Sequence, residues 1–138
     1  MKVKIKKLVE NAVLPSYSKE GDAGLDLTIT SFQVLGQEHI KYNFGLSLEI
    51  PEGHVGYIFP RSSCYKKQQL LSNCVGVIDS GYRGEVSAVF IGVPEERYDI
   101  GERCAQIIIM PYPKVELIEV KNLTNTERGK GGYGSTGE

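Results

Sequence analysis

Apolar and polar residues alternate with a period of two along most of this chain. Val3 and Ile5 alternate with lysines in MKVKIKKLVENA, which predicts a first strand over 2–9. No continuous apolar run follows those charges, so the N-terminus is not a signal peptide. Asn11 to Gly21 is turn-rich. Leu25, Leu27 and Ile29 then alternate with Asp26 and Thr28, which predicts a half-exposed strand with Asp26 mid-strand on its polar face. Alternation resumes over 32–36, 39–50 and 54–59, with turns at Gly36-Gln37-Glu38 and Pro51-Glu52-Gly53. Turn signals arrive every roughly 8–12 residues, the spacing of a β-sandwich or barrel.

The texture changes at Pro60-Arg61-Ser62-Ser63. Residues 64–71 contain good helix formers and no Gly or Pro, which predicts one short helix with Ser62 or Ser63 as N-cap. Serines beside Arg61 at a helix start also suit an anion. Next comes NCVGVIDSGYRGEV over 73–86. Its arms, Val75–Ile78 and Val86–Ile91, flank Asp79-Ser80-Gly81 and read as a β-hairpin. Asn73, Asp79, Tyr82 and Arg83 crowd this element, although a hairpin needs polar residues only at its tip. Gly92–Asp99 is a loop and Gly101-Glu102-Arg103 a turn. Cys104–Met110 is strongly apolar and should be central, interrupted by Gln106. Pro111 and Pro113 end it, and 115–120 makes a last strand.

Residues 121–127 read as a linker. The end, RGKGGYGSTGE, has five glycines, two cations, two hydroxyls and one aromatic, and cannot form a core. Such a segment is a disordered tail by composition. It also suits wrapping of phosphates by backbone and cations, with the aromatic stacked on a base. It lacks the Walker spacing, so it is not an ordinary P-loop. The chain therefore divides into a β-domain over 1–120 and a linker plus mobile tail over 121–138.

Composition narrows the chemistry. At 138 residues the chain is one domain. Its net charge is −1 with both signs interspersed, which gives no basic face for a duplex nucleic acid or an acidic membrane. No apolar run is long enough to span a bilayer. Cys64, Cys74 and Cys104 lack CxxC spacing, so they read as free thiols of a reducing, cytoplasmic compartment rather than a zinc site or disulfide framework. Neither His39 nor His54 follows a pattern that would make it the base for a Cys64 nucleophile.

A carboxylate and an amide on a hairpin, a helix start suited to phosphate and an aromatic-bearing Gly-rich tail describe a nucleotide site on an all-β scaffold. The sequence resembles the homotrimeric dUTPases. Five motifs of that family occur in order: AGLDL at 23–27, PRSS at 60–63, NCVGVIDSGYRGEV at 73–86, GERCAQ at 101–106 and RGKGGYGSTG at 128–137. The third and fifth are long and specific.

The resemblance implies a distorted jelly-roll of the β-clip kind, with one short helix and a flexible C-terminal tail. It implies a homotrimer with sites shared between subunits, Mg2+ as cofactor, and hydrolysis of dUTP to dUMP and pyrophosphate. That reaction limits uracil in DNA and supplies dUMP for dTTP synthesis. Asp79 would orient and deprotonate the attacking water. Asn73 and the backbone at Val77, Ile78 and Ser87 would read the uracil edge, with Tyr82 under the deoxyribose. Arg61, Ser62, Ser63 and Gln106 would hold phosphates, and Asp26 would reach the metal through water. Arg128 would bind the γ-phosphate, Tyr133 would stack on the base, and Gly134, Ser135 and Thr136 would close on the triphosphate.

Tyr133 stands where the family typically has Phe, Ser63 where it has Gly, and Gly81 where many members have Asp. Two other functions fit the same scaffold. A dCTP deaminase needs a Glu beside the base, and the motif places Glu85 outside the pocket. A nucleotide-gated regulatory protein would control a partner through its tail, but no extra domain or long insertion is present to receive one.

Overall fold

The computed structural model describes residues 1–132. Among these residues ten strands form: β1 (Lys4–Lys7), β2 (Leu25–Thr28), β3 (Ser31–Leu35), β4 (His39–Asn43), β5 (Leu46–Glu49), β6 (His54–Pro60), β7 (Leu70–Leu71), β8 (Gly76–Ile78), β9 (Ser87–Ile91) and β10 (Arg103–Pro111). They make two four-stranded antiparallel sheets, ordered β2-β10-β6-β8 and β3-β4-β9-β7, and a two-stranded sheet of β1 and β5. The expected all-β architecture is present.

One core lies between the sheets. Leu27, Ile58 and Ile107 come from one of them, and Ile40, Tyr42 and Phe90 from the other. Each is at most 2% exposed. The alternation in the sequence is the alternation of faces: in β4, Ile40 and Tyr42 are buried while His39, Lys41 and Asn43 are not. β10 is the long central strand expected from its apolar run, paired to β2 on one side and β6 on the other.

Four sequence expectations change. The alternation over 39–50 is two strands, because the chain changes sheets at Gly45. That residue has φ +64°, and an added Cβ would run into Val9 and Ala12. Only glycine occupies such a corner without strain.

The helix expected over 64–71 forms earlier and tighter, as a 3-10 turn over Ser62–Lys67. Arg61 takes the capping position, with no side-chain cap from either serine. Gln68, at φ 51°, ends the turn, and Leu70-Leu71 pair with β9 instead of continuing it.

The arms of the expected hairpin do not pair with each other. β8 pairs with β6, while β9 pairs with β4 and β7 in the other sheet. Residues 79–86 are thus a crossover between sheets. It is pinned by Arg83 Nη1 to the Ser80 carbonyl (2.7 Å), Ser47 Oγ to the Arg83 carbonyl (2.7 Å) and Val86 N–H to the Leu46 carbonyl (2.8 Å).

Finally, residues 115–120 form no strand within this chain. Their apolar side chains are exposed, Leu117 to 92%.

Candidate functional site

The site is built where β2, β10 and the end of β6 meet. Gln106 stands opposite Asp26 on one side and Phe59 on the other. β6 ends at Pro60 and delivers Arg61, whose backbone N–H is held by the Cys104 carbonyl at 3.1 Å. Sheet register alone therefore brings together residues far apart in sequence.

Asp26 is the hub. One carboxylate oxygen accepts Arg61 Nε at 2.9 Å. The other accepts Arg103 Nη1 at 2.9 Å and Ser18 Oγ at 3.0 Å. The Asp26 side chain is 11% exposed, against 30% for Arg61 and 48% for Arg103. A carboxylate this enclosed is stabilised by its two charge-assisted partners. Two guanidiniums on one carboxylate leave one positive charge, which the carboxylate of Asp22 in the same cleft offsets. Asp22 stands at the rim, its carboxylate taken by the Lys19 backbone N–H at 2.9 Å.

Beside the cluster is an open cleft of about 340 Å³, lined by Gly24, Asp26, Arg61, Ser62 and Gln106 among others. Gln106 is fixed on two sides. Its Nε2 donates to the Pro60 carbonyl at 3.2 Å, and its Oε1 lies across Gly24, where a side chain would collide with it. Ser62 is exposed, with its hydroxyl free of protein partners among the described residues.

The remaining expected residues fall elsewhere. Asn73, Val77, Asp79 and Tyr82 are exposed, and Ile78 and Ser87 are half-buried, around β8, the crossover and the start of β9. β8 is the opposite edge of the sheet from β2, about 14 Å away across three strand spacings. No residue of 73–87 lines the Asp26 cleft. Arg128 is exposed and donates from Nε to the Gly131 carbonyl at 3.2 Å. Tyr133, Gly134, Ser135 and Thr136 lie outside the described residues.

Other candidate chemistry is spoken for. Burial pushes the Cys104 thiol well above its usual range, so it is no nucleophile. His39 lies opposite Ile91, and His54 lies opposite Pro111 at the far end of β10. Glu85 accepts the Gly45 N–H at 2.9 Å, which gives it a structural task at the corner.

Sequence reasoning missed Arg103, Ser18 and Gly24. Arg103 and Gln106 are three apart on one strand, a spacing that normally puts side chains on opposite faces. A register shift between Arg103 and Ala105 brings both toward Asp26. Nothing in the sequence marks that shift. Gly24 did carry a signal, since a glycine two residues before a mid-strand Asp calls for a close neighbour.

A family model for dUTPase matches residues 10–137. The chain belongs to the dUTPase family. It is 42% identical over 142 aligned positions to a Hydrogenobaculum protein named deoxyuridine 5'-triphosphate nucleotidohydrolase, covering 99% of each chain. Among solved structures it resembles the Staphylococcus bacteriophage 80alpha dUTPase with dUPNHPP, at TM-score 0.84 and 28% identity over 99% of both chains. It also resembles a dUTPase variant from phage phi11 of S. aureus, described with a structural Mg(II) ion. That match has TM-score 0.74 and 25% identity, covering 88% of this chain and 98% of the other. The jelly-roll-like fold of these dUTPases is the fold of this chain. Five dUTPase motifs that looked scattered in sequence thus collapse, in part, onto one cleft: the first, second and fourth supply Asp26, Arg61, Ser62 and Gln106.

Proposed function

We propose that this dUTPase hydrolyses dUTP to dUMP and pyrophosphate, and that the Asp26 cleft takes part of the triphosphate. The observation that carries the reading is the convergence of Asp26, Arg61, Ser62 and Gln106 on one cleft, with Arg61 held there by Asp26. Phosphoryl transfer asks the protein mainly for alignment and charge neutralisation. Arg61, Ser62, the backbone at Ser63 and Gln106 supply donors for the phosphates, and Arg128 adds a cation to the γ-phosphate.

Asp79 orients the water and takes its proton as it attacks the α-phosphorus. Asn73 and the backbone at Val77, Ile78 and Ser87 meet the uracil edge. Cytosine offers a donor where uracil offers an acceptor, so a fixed set of partners rejects it. Tyr82 lies under the deoxyribose and leaves no room for a 2′-hydroxyl. Tyr133 stacks on the base, and Gly134, Ser135 and Thr136 close on the phosphates.

Among the described residues no group of three His, Cys, Asp or Glu could cage a metal. Asp26 Oδ2 already accepts two hydrogen bonds and Oδ1 one, which leaves a single lone pair, on Oδ1. That suits an outer acceptor from a metal-bound water and not a direct ligand. Mg2+ would therefore ride on the triphosphate with Asp26 behind its water shell, and would supply neutralisation of phosphate charge.

The base-reading group, around β8, the crossover and the start of β9, contributes no residue to the lining of the phosphate cleft. We therefore propose a homotrimer in which neighbouring subunits complete each site. The apolar, exposed residues of 115–120 and the edge strand β1 are surfaces that such an assembly would cover. Glu85, held at the Gly45 corner, leaves a deaminase without its acid–base carboxylate beside the base.

The test is turnover of dUTP against dCTP, dTTP and UTP, with and without Mg2+, in the wild type and in Asp79→Asn. The expected result is pyrophosphate from dUTP alone, dependent on Mg2+. Asp79→Asn should keep dUTP affinity and lose most turnover, about 1,000-fold if the carboxylate is the general base. Ammonia from dCTP, or wild-type rates in Asp79→Asn, would overturn the reading.

A further inference from the structure

The turn that presents Arg61, Ser62 and Ser63 buries none of its own side chains and has no side-chain cap. It is held from its ends. At the front, Arg61 N–H is anchored on Cys104. At the rear, the chain bends through Gln68 and places Gln69 in the core with no exposed surface. Gln69 is the most deeply buried polar side chain among the described residues.

Three of its polar groups make hydrogen bonds. The backbone N–H donates back to the Cys64 carbonyl, inside the turn, at 3.3 Å. Side-chain Oε1 accepts the Tyr42 hydroxyl at 2.9 Å, and Nε2 donates to the Glu96 carbonyl at 3.4 Å. Tyr42 in turn accepts the Tyr98 N–H at 3.0 Å. Gly92 leaves the space, since a Cβ there would stand 2.7 Å from Gln69 Cγ. One amide thus ties the turn to β4 and to the 93–98 loop. An apolar residue of equal size would fill the same volume, so packing alone does not call for an amide here. What the amide adds is direction, because its bonds hold only with the turn in one place.

We propose that Gln69 is a positioning residue for the triphosphate: through Tyr42 and Glu96 it sets where Arg61, Ser62 and Ser63 present their donors, without touching substrate. This rests on the dUTP-hydrolase reading. The test compares two ligands in the presence of Mg2+. The triphosphate analogue dUpNHpp needs the turn, whereas deoxyuridine needs only the base-reading group.

Gln69→Met keeps length and volume and removes both side-chain bonds. Tyr42→Phe removes only the hydroxyl and carries the same test should Gln69→Met fail to fold. The expected result is dUpNHpp binding weakened about tenfold in Gln69→Met and about threefold in Tyr42→Phe. KM for dUTP should rise in step, with the Kd of deoxyuridine unchanged. Equal weakening of both ligands would make Gln69 merely structural, and unchanged dUpNHpp affinity would remove the role; either overturns the proposal. A wild-type chain that binds neither ligand would instead overturn the functional reading itself.

Discussion

Gly24→Ala tests how the cleft is assembled. Gly24 does not need glycine for its backbone, which lies outside the left-handed region. It needs glycine for its neighbour. An added methyl would overlap Gln106 Oε1 outright and stand 2.9 Å from Gln106 Cδ. Ordinary carbon contacts sit near 3.5–4.0 Å, so the amide must swing away by on the order of 1 Å. That shift breaks the 3.2 Å bond from Nε2 to the Pro60 carbonyl. Because the obstacle is the far end of a flexible side chain, the stability cost should stay near that of one hydrogen bond, about 1 kcal/mol.

The functional cost should be larger. One hydrogen bond to a charged phosphate contributes roughly 1.5–3 kcal/mol, so kcat/KM for dUTP should fall about 10- to 100-fold. Pyrophosphate release and thermal denaturation measure the two effects separately. The double variant Gly24→Ala/Gln106→Ala should be no slower than Gln106→Ala alone, since both act through one amide. Wild-type kcat/KM in a folded Gly24→Ala chain, or additive losses in the double variant, would refute the reasoning.

Three further outcomes are expected. Deleting 128–138 should abolish turnover and leave the oligomer unchanged by light scattering; a chain that no longer folds would make the tail structural. With Ellman's reagent at pH 8, exposed Cys74 should react fast and half-buried Cys64 slowly. Cys104, whose thiol is pushed up by burial, should react only on unfolding. Burial also pushes the Tyr98 hydroxyl up to about 12, and Tyr42 in the same direction, both from 10.0. The folded chain therefore binds more protons than the unfolded chain above pH 10. This contribution to stability should be intact below pH 10 and decline from 10 toward 12, as urea midpoints at pH 8, 10 and 11 would show.

The strands were legible because each buries one face, so that burial stamps a period of two on the sequence. The changes of sheet were not. Val75–Ile78 and Val86–Ile91 look like hairpin arms because each arm alone has the right pattern. Nothing in a single strand's alternation says which neighbour it will meet, and the partners of β8 and β9 lie in different sheets. The 115–120 segment failed for the opposite reason. Val115, Leu117, Ile118 and Val120 have the apolar content of a strand, but this chain offers it no partner. In the site, Asp26 was legible as an oddity, a carboxylate in mid-strand. Its partner Arg103 was hidden by a register shift that leaves no compositional trace.

The two halves of the proposed site differ in how firmly they are set, and the difference bears on how the enzyme would work. On the phosphate side two donors are oriented by other groups: Arg61 by Asp26 and Cys104, Gln106 by Pro60 and Gly24. Such donors need little reorganisation when charge arrives, which is the condition under which electrostatic stabilisation is strongest. On the base side Asn73, Asp79 and Tyr82 are exposed, although Tyr82 is bonded to the Glu85 carbonyl at 3.1 Å. A carboxylate with water on all sides holds no single water in line for attack. On the proposed reading, the phosphate half is ready in the single chain, whereas the half that carries Asp79 gains its enclosure only when other segments cover it. Turnover should then follow covering of Asp79 more closely than triphosphate affinity does.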